Sequence, residues 1–107
     1  MSRITALKPE LLWKHFDRIR QIPHCSRNEG PLAEYVIETA RKNGADFNQD
    51  EAGNVVVRVP ATGRREGAPG VVLQGHLDMV CEKNSDVAFE FDSDAIQAKI
   101  EGDWVTA

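Results

Sequence analysis

The chain has 107 residues, 41% of them hydrophobic and 28% charged, with a formal net charge of -4. That length suits one small domain with a modest core, and that composition excludes both a disordered and a fibrous protein. The acidic balance, with Lys and Arg dispersed except at Arg64-Arg65, argues against a nucleic-acid partner. No apolar run approaches the roughly 18 residues of a membrane span. The N-terminal MSRITALKPELLW lacks the continuous apolar core of an export signal, so neither membrane insertion nor secretion is expected. Cys25 and Cys81 form no CxxC or zinc-finger spacing and read as reduced thiols of a cytoplasmic protein rather than as a disulfide framework.

Pro9 suits a first helical turn, where its missing N–H would have no partner anyway. Leu12, Phe16 and Ile19 then recur at helical spacing until Ile22-Pro23, which predicts an amphipathic helix over 9–21. Ser26 and Glu29 have capping-box spacing and Pro31 falls in a first turn. Leu32, Val36 and Ala40 line one face up to Asn43-Gly44, so a second helix is expected over about 29–43. Residues 46–49, the turn-rich Asp50-Glu51-Ala52-Gly53-Asn54 and the β-branched run 55–59 read as strand, turn and strand. Pro60 to Gly70 is a surface loop and 71–77 a buried strand. Cys81 to Asp94 is an irregular polar stretch. Ile96, Ala98 and Ile100 alternate with polar residues before the hairpin turn Gly102-Asp103 and a return strand from Trp104. Two helices followed by at least three strands predict an α/β layer structure with an incomplete sheet.

The stretch Val71-Val72-Leu73-Gln74-Gly75-His76-Leu77-Asp78-Met79-Val80 breaks its apolar pattern at His76 and Asp78. Side chains alternate across a strand, so both project from one face. A metal-ligating imidazole nearly always donates its other N–H to an acceptor, and a nearby carboxylate is a common one. In open α/β sheets, ligands bind just beyond the carboxyl ends of strands, which is where this pair falls. Spacing alone fits a hydrogen-bonded surface pair more often than a metal site. An iron facial triad would need a distant third His, and none follows His76.

Other residues invite chemistry less well. His24-Cys25 are adjacent and seldom could point at each other, His15 reads as a helix-surface residue, and Trp13 and Trp104 read as core or semi-core packing. The acidic residues Glu82, Asp86, Glu90, Asp92 and Asp94 lack the glycine and final glutamate of an EF-hand loop and read as solvated.

The 71–80 stretch resembles the metal-binding motif of the di-zinc aminoacylase and carboxypeptidase-like metallopeptidases, among them their dipeptidase members. The resemblance extends to Ile22-Pro23-His24, Leu32-Ala33-Glu34-Tyr35, Asp50-Glu51-Ala52-Gly53-Asn54 and Ile96 through Val105, in order along nearly the whole chain. It implies that residues 1–107 are the N-terminal portion of an αβα three-layer peptidase domain, without its lid or dimerisation domain. His76 then matches the first zinc-ligand histidine, and Asp78 the catalytic-site aspartate that orients it. Two zinc ions, replaceable by cobalt or manganese, would activate a water against a dipeptide, in a protein that is a homodimer at full length. The bridging aspartate and the general-base glutamate would lie beyond Ala107, so the segment is expected to be inactive alone. Cys81 stands where relatives often have proline. A thiol there could ligate zinc adventitiously, but a small, half-buried residue is the expectation. A non-catalytic module on the same scaffold, and an aminoacylase or carboxypeptidase of the same family, are the alternatives.

Overall fold

A computed structural model of the chain describes residues 3–107. Helix α1 spans Glu10–Gln21, with Pro9 in extended conformation one position ahead of it. Glu10 in its first turn and Arg18 and Arg20 in its last complement the helix dipole. It ends at Ile22, which Pro23 forces out of helical geometry.

Helix α2 spans Gly30–Lys42 and ends in a Schellman motif. Gly44 takes φ +67°, the Gly44 amide donates to the Arg41 carbonyl at 3.1 Å and the Ala45 amide to the Ala40 carbonyl at 2.9 Å. The expected capping box is not made. The Glu29 carboxylate accepts from the Arg27 amide at 2.8 Å, and the Ser26 hydroxyl is committed to Asp78. The buried face of α2 carries Leu32, Ala33, Ile37 and Ala40, so Ile37 rather than Val36 takes the central core position.

Strands β1 (Asp46–Gln49) and β2 (Val55–Arg58) pair antiparallel, and α2 packs on both. Their turn is closed by Asp50, whose carboxylate accepts from the Asn54 amide at 2.9 Å and from its side-chain amide at 2.8 Å. Strands β3 (Lys99–Glu101) and β4 (Trp104–Thr106) form a second hairpin around Gly102-Asp103. The two hairpins are separate two-stranded sheets rather than parts of one.

The core is small: Ile4, Ile22 and the four buried residues of α2, with His24 beside them. The apolar stripe of α1 exists as expected, yet Leu12, Phe16 and Ile19 face solvent; Trp13 is half-buried, edge-on to Phe16 at 5.3 Å. A radius of gyration of 16.5 Å exceeds the roughly 13 Å of a compact domain of this length. No helix among the described residues is long and apolar enough to cross a membrane.

Three expectations are corrected. The segment expected as a buried strand over 71–77 has no ladder partner: Val71, Val72 and Leu73 are 84%, 88% and 93% exposed, and the first pairing comes at Met79, which bridges Cys25 in parallel. A strand exists only through its neighbours' hydrogen bonds, and none of the described strands lies alongside. Trp104 is 74% exposed instead of packed, because β3 and β4 form a hairpin with no covering layer on that side. Cys25 and Cys81 are not free thiols but a disulfide, 56 residues apart in sequence with Cα atoms 5.6 Å apart. Local spacing carries no information about a pair that only the fold brings together.

Candidate metal-ligating site

The site is assembled from three segments. The turn after α1, His24 to Ser26, lies against Met79 to Cys81 through two ties: the parallel Cys25–Met79 bridge, in which the Met79 amide donates to the His24 carbonyl at 3.0 Å, and the disulfide. A neighbouring cleft of about 740 Å³ is lined by the first turn of α2, the 51–54 turn and Gln74 to Asp78.

His76 and Asp78 meet, as the sequence predicts, although through a loop and not through strand alternation. The His76 Nδ1 lies 2.9 Å from Asp78 Oδ1 and 2.7 Å from the Asp78 carbonyl. Both are acceptors, so Nδ1 carries the proton and donates, and in the neutral ring the lone pair is on Nε2. The imidazole is 81% exposed and Asp78 is half-buried beneath it. The other carboxylate oxygen of Asp78 accepts from the Ser26 hydroxyl. The Ser26 hydroxyl first, and the His76 ring second, hold the Asp78 carboxyl below its ordinary pKa.

The donor set fits part of a zinc site. An exposed imidazole whose Nδ1 is tied to a carboxylate is the form in which histidine ligates zinc. Among the described residues, no group of three or more His, Cys, Asp or Glu converges as a metal site would require. Cys81 is no candidate ligand, since its sulfur is bonded to Cys25. The same bond removes Cys25 from any Cys/His pair, and His24 is buried with its Nδ1 2.6 Å from the Ile22 carbonyl. His15 pairs with the Tyr35 hydroxyl at 2.6 Å, and Asp94 accepts from the Glu90 amide at 2.8 Å within its own loop. Ser26 escaped the reading of the sequence: it sits 52 residues from Asp78, and its capping-box spacing pointed elsewhere.

The comparisons with known proteins converge on one class, the peptidases that cleave dipeptides. No protein-family model matches the chain. The cytosol non-specific dipeptidase of Escherichia coli (strain K12) is 45% identical over 107 residues, which are 100% of this chain and 22% of that protein. The crystal structure of aminoacylhistidine dipeptidase from Vibrio alginolyticus matches with a TM-score of 0.93 and 47% identity, over 98% of this chain and 21% of that one. The resemblance seen in the motifs thus holds along the whole chain, as does the mixed α/β class; the chain spans about a fifth of the length of these relatives.

Proposed function

We propose that this chain is the N-terminal portion of the catalytic domain of a metallo-dipeptidase, in which His76 is a zinc ligand and Asp78 orients it. The observation that supports this reading best is the His76 Nδ1–Asp78 contact at 2.9 Å, which presents Nε2 from an exposed ring lining a cleft. The whole-chain likeness to two dipeptidases supports a dipeptide as the substrate class. In this reading Asp78 keeps the ring in the tautomer that a metal needs and raises its basicity. When bound, zinc supplies Lewis acidity and an acidified water for attack on the peptide carbonyl. One ligand cannot hold a catalytic zinc, which takes about three. The remaining ligands and the general base therefore belong to the rest of the protein, and the segment alone is inactive. A cytoplasmic address is part of the proposal, supported by the name of the Escherichia coli relative. The Cys25–Cys81 bond pulls the other way, since disulfides are rare in that compartment.

The test is zinc calorimetry with dipeptide hydrolysis on the full-length protein and its His76→Ala variant. Loss of an imidazole that itself binds the metal should weaken zinc by more than the roughly 10- to 100-fold typical of losing a residue that only supports a ligand, and should abolish turnover. Wild-type hydrolysis by His76→Ala would overturn the assignment.

A further inference from the structure

We infer that Ser26 is a positioning residue for the metal-ligating histidine, acting through Asp78; the inference rests on the zinc-ligand reading of His76. A carboxylate bonded at one oxygen still swings about a soft terminal torsion. The Ser26 hydroxyl on Oδ2 removes that freedom, because with His76 on Oδ1 both oxygens are tied and the carboxylate plane is fixed. Nδ1 then meets a fixed carboxylate oxygen as well as the Asp78 carbonyl, and Nε2 is held in one direction.

Ser26 itself is held from behind. Its neighbour Cys25 is bonded to Cys81 and bridges Met79, so the backbone carrying the hydroxyl and the backbone carrying Asp78 move as one body. The turn that presents Ser26 is closed by the Asn28 amide donating to the Cys25 carbonyl at 2.8 Å, with Arg27 at φ +70°. A type II turn demands a positive φ at that third position and normally takes glycine there. An arginine held in the left-handed region is a cost that surrounding structure must offset, and such strain concentrates at functional sites. Here what the turn delivers is the Ser26 hydroxyl, placed at a carboxylate 52 residues away. The Thr and Ala variants separate this role from a simple packing role, since only the hydroxyl is at issue.

The experiment compares full-length wild type with Ser26→Ala, Ser26→Thr and His76→Ala. Zinc affinity is read by chelator competition, kcat and KM by dipeptide hydrolysis, and the hydrogen bonding of His76 Nδ1 by imidazole nitrogen shifts in the metal-free protein. Ser26→Ala should weaken zinc about 10-fold or more, lower kcat with KM little changed, and move the Nδ1 nitrogen shift as the carboxylate loosens, while the Asp78 carbonyl still keeps Nδ1 protonated. Ser26→Thr should restore all three readouts at an equal melting temperature. Should Ser26→Ala fail to fold, Ser26→Cys, nearly isosteric but a poor donor, takes its place. The inference is overturned if Ser26→Ala keeps wild-type affinity and Nδ1 shift, or if Ala and Thr lose both equally. If wild type and His76→Ala bind zinc alike, the ligand reading fails instead, and the Nδ1 shift alone then decides whether Ser26 positions the ring.

Discussion

Opening the Cys25–Cys81 bond should remove a large share of the stability of the fold. The bond closes a loop of 56 residues, for which the loop-closure relation gives about 14 cal/mol/K, or about 4 kcal/mol at room temperature. The Cα separation of 5.6 Å lies in the ordinary disulfide range, so the backbone need not shift to make the bond. With an m-value of about 2 kcal/mol/M in urea, the loss corresponds to a midpoint lower by roughly 2 M. The core that would have to compensate is only Ile4, Ile22 and four residues of α2. Urea unfolding followed by the fluorescence of Trp13 and Trp104, with and without a thiol reductant, reads the shift directly. The Cys25→Ser/Cys81→Ser double variant should unfold at the reduced midpoint whether or not reductant is added. Two titratable thiols in the native, unreduced protein, with a midpoint indifferent to reductant, would refute the reasoning.

The remaining predictions concern local structure. Leu32→Ala, at a side chain 5% exposed, should cost about 2–5 kcal/mol of unfolding free energy, whereas Leu12→Ala, on the uncovered face of α1, should cost no more than about 0.5. Gly53→Ala should cost roughly 1–2 kcal/mol from backbone conformation alone, since φ is +94° and an added Cβ meets nothing within 4 Å; a loss of amide protection confined to β1 and β2 would report it. Asp50 is held below its ordinary pKa, chiefly by the Asn54 side-chain amide and next by the Asn54 backbone amide. A carboxyl depressed in the folded state contributes stability above its unfolded pKa and loses it as pH falls through the folded one. A carbon-detected titration should therefore place the Asp50 midpoint below that of an unfolded aspartate, and Asn54→Ala should move it upward.

What the sequence disclosed was local. The spacing of Leu12, Phe16 and Ile19, the stop at Pro23, the turn residues 50–54 and Gly102-Asp103 each act within a few positions, and each produced its element within a residue or two. His76 and Asp78 were found for the same reason, being two residues apart. Everything that depends on distant partners was hidden. Val71 to Leu73 have the composition of a buried strand, but composition does not supply the neighbour that makes a ladder. The Cys25–Cys81 bond and the Ser26–Asp78 hydrogen bond join residues more than fifty positions apart, and Ser26 carried a misleading local signal, its capping-box spacing to Glu29.

The bare run Val71-Val72-Leu73 has a consequence for how the molecule behaves in company. Its backbone donors and acceptors are as uncovered as its side chains, and β-branched residues such as Val71 and Val72 favour accepting an added strand from another chain. Pairing within one molecule is independent of concentration, while pairing between molecules grows with it. These three residues, just upstream of His76 and Asp78, therefore favour association between copies of the isolated segment as concentration rises, and a strand laid beside them would at once quiet that stickiness and stiffen the approach to His76.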